Sequence, residues 1–262
     1  MFRLVIPESL KRVFEGHRRV AVALSGGVDS AVLLALAIRT LGGDSVLAIT
    51  ATGLIFPPEE SELARRTASD LGVEHYEVEF PALELSAFRE NPPDRCYHCK
   101  KALFGEFLRV AREWGAEVIW DGTQLDDLSE ERPGLRALKE LGVESPLLLA
   151  GFRKFEIREL ARKLGLPQAE KPPSPCLATR FPPGEPVTEE ALKMVYEAER
   201  KLQDLLKVQP LRVRYLRGEA RVEVPEGALE RAFYNREIWV KSLKLLGFKK
   251  VSLDLEGYGR KS

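Results

Sequence analysis

The first 164 residues of the chain alternate short apolar runs with segments of helical periodicity. The apolar runs predict buried strands at 20–24, 45–52, 75–80 and 118–120. The helical patterns predict helices at 30–41, 57–71, 100–114, 135–141 and 155–164. Because strands that alternate with helices usually pair in parallel through βαβ units, we predict an α/β domain with a parallel sheet.

The last third of the chain opens with a proline-rich stretch that no regular element tolerates. Proline fits neither a helix interior nor a central strand, so 171–187 is predicted to be a linker. After it, Thr188 is expected to cap a long amphipathic helix. Further strands are predicted at 211–215, 221–224 and 251–255. We therefore predict a first domain over 1–170, a linker over 171–187 that carries Cys176, and a smaller α+β substrate-binding or oligomerisation domain over 188–262.

The net charge and the lengths of the apolar runs limit the kinds of partner and location expected for this protein. The 40 basic and 40 acidic residues cancel, so no overall field attracts nucleic acid or an anionic membrane. No apolar run approaches the roughly 18 residues of a membrane span. The N-terminus lacks a signal-peptide profile, so a cytoplasmic location is expected. Three cysteines in such a protein favour chemistry or metal binding over disulfides.

A glycine-containing turn joins the first predicted strand to the first long helix. Its sequence is Ser25-Gly26-Gly27-Val28-Asp29-Ser30. Glycine allows a ligand to approach the backbone, and the N–H groups at a helix start favour a phosphate. Two glycines alone indicate only a tight corner, but the whole string resembles the PP-loop of the ATP pyrophosphatases. That resemblance implies that ATP is split into AMP, which is attached to an acyl group, and pyrophosphate. Asp29 is a candidate for holding Mg²⁺.

The cysteines Cys96, Cys99 and Cys176 form the second candidate site. We expect all three in irregular, proline-flanked segments, with Cys96 and Cys99 just ahead of a helix. Three thiolates suit a soft metal centre, either zinc with His98 as a fourth ligand or a 4Fe–4S cluster with one open iron. Two other interpretations remain. Cys96 and Cys99 could form a redox C-x-x-C pair with Cys176 unrelated to it, or all three cysteines could be buried structural residues.

Several separate motifs, in order, resemble those of the LarE family of ATP-dependent sulfur transferases. These motifs are 91–100 (NPPDRCYHCK), 121–128 (DGTQLDDL), Arg132-Pro133-Gly134 and 175–181 (PCLATRF). The resemblance implies that a pyridinium-3,5-biscarboxylic acid mononucleotide is adenylated on its carboxylates and converted to thiocarboxylates, for the nickel-pincer cofactor of lactate racemase.

The resemblance also assigns roles to residues. In one branch of the family the cysteine matching Cys176 gives up its sulfur and becomes dehydroalanine. This sequence also has Cys96 and Cys99 and is similar instead to the three-cysteine branch, which implies that a 4Fe–4S cluster on Cys96, Cys99 and Cys176 carries sulfide to the substrate. The residues assigned to the substrate phosphate are Arg180, Arg212 and Arg214. The residues assigned to ATP or pyrophosphate are those of Ser25–Ser30 together with Gly122 and Thr123, which follow the fourth strand.

Two other function classes stay open at this point. A tRNA thiolase also combines a PP-loop with cysteines, although zero net charge and the lack of a basic, aromatic module disfavour it. A non-enzymatic iron–sulfur or nucleotide sensor would bind ATP without turnover. For the enzyme we expect ATP, Mg²⁺ and a 4Fe–4S cluster as cofactors. The expected partners are a sulfide or cysteine-derived sulfur donor and, in a homo-oligomer, further copies of the chain.

Overall fold

The computed structural model describes residues 6–129 and 133–259 of the 262-residue chain. Arg132, part of one motif, lies outside the described residues. The described helices are α1 Glu8–Phe14, α2 Val28–Leu41, α3 Pro58–Asp70, α4 Ser86–Arg89, α5 Arg95–Trp114, α6 Pro133–Glu140, α7 Pro146–Leu149, α8 Lys154–Leu164, α9 Glu189–Leu206, α10 Leu229–Tyr234 and α11 Arg236–Leu245. The described strands are β1 Val20–Ala23, β2 Val46–Thr52, β3 Glu74–Glu79, β4 Val118–Trp120, β5 Arg212–Leu216, β6 Glu219–Glu223 and β7 Lys250–Leu253.

The chain divides into two compact units. The first comprises 1–80 and 94–174, and the second comprises 81–93 and 175–262. The division falls between Ser174 and Pro175, inside the stretch interpreted as a linker. Residues 81–93, expected in the first domain, belong to the second unit. They join it through Asn91, whose side-chain amide donates to the carbonyls of Pro182 (2.7 Å) and Glu185 (2.8 Å).

A parallel sheet of four strands, in the order β3-β2-β1-β4, forms the centre of the first unit. The α/β class with a parallel sheet, expected from the alternation of strands and helices, is confirmed. A short parallel pairing extends the edge beyond β4, where Asp121 N–H donates to Glu144 O at 2.9 Å. Helix α2 packs against β1, β2 and α8, and it is buried over most of its length because ten of its fourteen side chains are apolar.

The second unit is a small α+β fold. Its sheet has the order β5-β6-β7, with β5 and β6 antiparallel and β6 and β7 parallel. Arg217 and Gly218, both with positive φ, form the two-residue turn between β5 and β6, as such a hairpin requires. Helix α9 packs on β5, and Thr188 caps it as expected, with Oγ1 accepting from Ala191 N–H at 3.2 Å.

Helix starts differ from the sequence-based expectation at two functional places. Helix α2 begins at Val28 rather than at Ser30, so Asp29 lies in its first turn. Helix α5 begins at Arg95 rather than at Lys100. Cys96 and Cys99 are therefore helical, and the prediction that they lie in an irregular segment was wrong. No proline or glycine occurs between Arg95 and Lys100, so nothing prevents the helix from extending back to the prolines that precede it.

Candidate functional site

The turn between β1 and α2 is held by its two serines. Ser30 Oγ accepts the N–H of Ser25 at 3.1 Å, donates to Gly27 O at 3.2 Å and lies 3.1 Å from Ser25 Oγ. Gly27 occupies the N-cap position of α2 without a side-chain cap. The first N–H groups of α2 therefore remain available to an anion, as at other phosphate-binding helix starts.

Two glycines allow close approach of neighbouring backbone to this turn. Gly26 has a φ of +76°, and a Cβ placed on it would clash with the carbonyl oxygen of Glu60 and lie 3.1 Å from its carbonyl carbon. A Cβ on Gly122, just after β4, would lie 2.9 Å from the backbone nitrogen of Ser30. The end of β4 therefore packs directly on the N-terminus of α2, which brings Gly122 next to the turn.

Asp29 is the acidic group at this helix start. Its Oδ2 accepts from Lys154 Nζ at 2.5 Å. Within the described residues, its Oδ1 is buried and has no hydrogen-bond partner. A buried carboxylate oxygen without a donor is costly unless a ligand completes it. This environment fits a bound cation, and Asp29 is the residue that would hold it.

Two lysines that were not selected from the sequence, Lys154 and Lys171, lie next to this turn. Lys154 is the first residue of α8, where a cation opposes the helix dipole. Lys171 Nζ donates to Gly26 O at 3.2 Å and also pairs with Glu60. A lysine at a helix N-terminus is the sequence signal that could have identified Lys154, because such a position disfavours a positive charge.

Thr123 follows β4 and is bonded to Asp121. Its hydroxyl donates to Asp121 Oδ2 at 2.5 Å, and Ser145 Oγ donates to Asp121 Oδ1 at 2.5 Å. Thr123, Asp121 and the next residue, Gln124, are all buried. The Thr123 hydroxyl thus fixes the loop after β4, which lies at the carboxyl edge of the sheet where open α/β folds bind ligands.

Cys96 and Cys99 lie three residues apart near the start of α5, and therefore on one face of the helix. Cys96 is exposed, Cys99 is half-buried, and neither forms a disulfide. His98, considered as a zinc ligand, has its Nε2 3.3 Å from Oδ2 of Asp94. Over 6–129 and 133–259, no group of three His, Cys, Asp or Glu side chains is arranged to hold a metal ion. Two thiolates on one helical face fit two ligands of a soft metal centre.

A polar network supports the same end of α5. The Tyr97 hydroxyl donates to Glu140 Oε2 at 2.7 Å and accepts from Lys101 Nζ at 2.8 Å. The guanidinium of Arg136 lies 4.1 Å from the centre of the Tyr97 ring. Glu140 and Arg136 both belong to α6, so this network ties α6 to the turn that carries the cysteine pair.

In the second unit, Cys176 lies in the loop 175–180, which ends in a short 3-10 helix at Leu177–Arg180 and is held in part by the carbonyl oxygen of Cys176. That oxygen accepts from Thr179 N–H at 3.1 Å, from Thr179 Oγ1 at 2.9 Å and from Arg180 Nη1 at 3.1 Å. Arg180 is 2% exposed and forms a two-point ion pair with Glu199, with Nε at 2.9 Å and Nη2 at 2.8 Å from the carboxylate oxygens.

Arg212 and Arg214 lie on alternate positions of β5, as expected. Arg214 Nε donates to both oxygens of Glu223, at 3.0 and 2.9 Å, and its Nη1 donates to Thr179 O at 3.0 Å. Arg212 is buried, with Nη1 2.8 Å from Leu211 O. Burial, and next the positive charge of Arg180, lower the pKa of Arg212. An anion would relieve this repulsion.

Known proteins resemble this chain over most of its length. A family model described as asparagine synthase matches residues 1–105. An uncharacterized protein of Synechocystis sp. is 38% identical over 253 residues, which are 96% of this chain and 94% of that protein. The pyridinium-3,5-bisthiocarboxylic acid mononucleotide synthase of Lactiplantibacillus plantarum is 34% identical over 241 residues, covering 92% of this chain and 87% of that protein.

The chain belongs to the LarE family. More distantly, a glutamine-hydrolyzing GMP synthase component of Methanoculleus marisnigri is 32% identical over 209 residues, which are 73% of this chain and 66% of that protein. As a LarE-family protein, the chain is an ATP-dependent sulfur transferase with the fold of the PP-loop proteins. No helix among the described residues is long and apolar enough to span a membrane.

The candidate residues of this LarE-family chain form separate groups within its two units. In the first unit, Ser25–Ser30 and Gly122 adjoin one another, and the cysteine pair shares a face of α5. In the second unit, Arg180 and Arg214 both bond to the loop 175–180 that contains Cys176.

Proposed function

We propose that the chain adenylates the carboxylates of pyridinium-3,5-biscarboxylic acid mononucleotide and converts them to thiocarboxylates. The observation that carries this proposal is the 34% identity to a bisthiocarboxylic acid mononucleotide synthase over 92% of the chain. The residues of the PP-loop turn support an ATP-dependent first step. The two arginines of β5, Arg212 and Arg214, support a substrate that carries a phosphate group.

The first step needs groups that favour departure of pyrophosphate. A carboxylate is a poor electrophile, and transfer of AMP to it gives the carbonyl carbon a good leaving group. In this step the carboxylate oxygen attacks the α-phosphate and pyrophosphate leaves. The N–H groups at the start of α2 and the hydroxyls of Ser25 and Ser30 stabilise the departing charge. Lys154, now paired with Asp29, supplies a cation beside the same turn. Mg²⁺ at Asp29 would neutralise phosphate charge.

The second step replaces AMP by sulfur. Hydrosulfide attacks the acyl carbon, AMP leaves with its oxygen, and loss of a proton gives the thiocarboxylate. We propose that Cys96, Cys99 and Cys176 hold a 4Fe–4S cluster that, when bound, supplies this sulfide. The three free thiols support the assignment, since a standard cluster has four cysteine ligands and three would leave one iron open to sulfide. Arg212 and Arg214 bind the substrate phosphate, and the second unit forms the substrate-binding part of the enzyme.

A sacrificial reaction of Cys176 is the second candidate. The Cys176 thiolate would attack the acyl carbon and release AMP, and elimination would leave dehydroalanine and the thiocarboxylate. The three donors on the Cys176 carbonyl favour this candidate, since they fix the backbone of the reacting residue. The exposed apolar side chains of α10 and α11, which include Tyr234 and Leu245, support the expectation of a homo-oligomer.

Anaerobic turnover assays test the proposal. Purified protein is supplied with ATP, Mg²⁺, sulfide and the biscarboxylic mononucleotide, and pyrophosphate and thiocarboxylate are measured together. We expect pyrophosphate release that depends on the mononucleotide. Release that is independent of the mononucleotide but depends on tRNA would overturn the proposal in favour of a tRNA thiolase. ATP binding without any release would favour the nucleotide sensor.

A further inference from the structure

Arg180 is a buried cation with an acceptor for each of its nitrogens. Its Nε and Nη2 donate to the two oxygens of Glu199. Its Nη1 lies 2.8 Å from Pro175 O, 3.1 Å from Cys176 O and 3.0 Å from Thr179 Oγ1. With 2% of its surface exposed, the side chain is turned into the protein and toward the backbone of the loop 175–180.

We propose that Arg180 is a positioning residue for Cys176, held in place by Glu199, and is not a ligand of the substrate phosphate. The inference rests on the proposed function in one respect, that Cys176 takes part in sulfur transfer. Because the Arg180 side chain is 2% exposed, a phosphate would have to break its two-point ion pair with Glu199 and leave that carboxylate buried without its partner. Arg214 also pairs with a carboxylate, that of Glu223, but its side chain is 31% exposed and a phosphate can reach it. Separating such a pair is costly, because the remaining charge has lost both water and its counterion.

The same carboxylate extends the arrangement to β5. Glu199 Oε1 also accepts the N–H of Val213, at 2.9 Å, between the two arginines assigned to the phosphate. Arg214 donates to Thr179 O, so β5 contacts the loop 175–180 by a second route. The loop with Cys176 and the strand with the phosphate-binding arginines are thus joined by hydrogen bonds through buried groups. Arg180 fixes where the sulfur atom lies relative to the bound substrate.

Replacing Arg180 by lysine separates the two roles. Lysine binds a phosphate as a point charge, so a phosphate ligand would keep much of its function in Arg180→Lys. Its single ammonium cannot bond both Glu199 oxygens and the carbonyls of Pro175 and Cys176 at once. A positioning residue therefore loses its function in the lysine variant.

Three measurements on the full chain are compared between wild type and Arg180→Lys. We expect amide exchange in the peptide 174–181, measured without substrate, to rise at least about tenfold. We expect thiocarboxylate formation to slow at least about tenfold, while the KM and rate of mononucleotide-dependent pyrophosphate release change less than about twofold. A KM increase of about tenfold with unchanged amide exchange would overturn the proposal. Equal loss of both half-reactions would also overturn it, since that indicates general destabilisation.

A second variant tests the same ion pair from the side of Glu199. Glu199→Gln keeps the shape of the side chain and one acceptor while removing the charge that holds Arg180. It should accelerate exchange in 174–181 and slow sulfur transfer in the same direction as Arg180→Lys. Unchanged exchange in 174–181 would count against the proposal. If wild-type protein forms no thiocarboxylate, the proposed function fails, whereas the exchange measurement still decides whether Arg180 holds the loop.

Discussion

Replacing Gly26 by alanine should destabilise the first unit through the turn that begins α2. A Cβ at this position meets the backbone of Glu60, with the carbonyl carbon at 3.1 Å and Cα at 3.2 Å, so no side-chain rotation relieves the clash. The φ of +76° adds a cost of about 1–2 kcal/mol for a residue with a Cβ. Displacing packed backbone adds about 1–3 kcal/mol.

The unfolded chain reduces this effect slightly. Alanine lowers its conformational entropy and returns about 0.4–1 kcal/mol. We therefore expect the free energy of unfolding to fall by about 1–5 kcal/mol, with a central value of about 3 kcal/mol. Urea unfolding followed by circular dichroism measures this value, and an unchanged slope shows that stability alone has changed.

Gly27→Ala is the matched control for Gly26→Ala. Its φ is −82°, and a Cβ there meets only Ser25 Oγ, at 3.3 Å. Because alanine is a poorer N-cap residue than glycine, we expect a loss of about 1 kcal/mol or less. Equal destabilisation by the two substitutions would refute the reasoning, since it would mean that neither φ nor the contact with Glu60 distinguishes the glycines.

The remaining predictions concern other residues of the site and fold. Lys154→Met should lower the rate of mononucleotide-dependent pyrophosphate release at least about tenfold by leaving Asp29 unpaired and removing a cation; a rate within twofold of wild type would contradict this role. Burial, with a smaller contribution from the charge of Arg65, lowers the pKa of His75, so the folded protein favours the neutral ring. The neutral ring therefore contributes stability above about pH 6.5, and this stability is lost as the pH falls. Wild-type unfolding midpoints should therefore fall more steeply between about pH 7 and 5 than those of His75→Gln, and parallel pH profiles would exclude this contribution. Thr188→Ala removes the cap of α9 and should cost about 1 kcal/mol by urea unfolding, whereas Ser242→Ala is expected to change stability by less than about 0.5 kcal/mol because its hydroxyl bonds only within α11.

Local signals in the sequence predict much of the fold. The alternation of apolar runs with helical patterns is a property of neighbouring residues, so the strands of the parallel sheet and the long helices follow from it. The start of α5 was missed because two cysteines resemble a metal-binding loop, whereas a run without glycine or proline simply continues the helix. Local patterns decide where an element exists more reliably than where it begins.

Contacts between distant residues explain what the sequence could not predict at the site. Lys154 and Asp29 are 125 residues apart, and no local pattern reports that α8 packs beside α2. The ion pair of Arg180 is a second contact of this kind. The resemblance to LarE assigns Arg180 to the substrate phosphate, and no local pattern reports that its guanidinium pairs with Glu199 on α9.

The number of thiocarboxylates formed per chain tests the central claim most directly. Protein reconstituted anaerobically with iron and sulfide is given excess ATP, sulfide and mononucleotide, and product and intact protein are weighed by mass spectrometry. Delivery of sulfide through a cluster predicts many thiocarboxylates per chain, an unchanged protein mass, and loss of bound iron in Cys96→Ser. One thiocarboxylate sulfur per chain, with loss of one H₂S from the peptide that contains Cys176, would contradict cluster-based delivery and establish the sacrificial reaction.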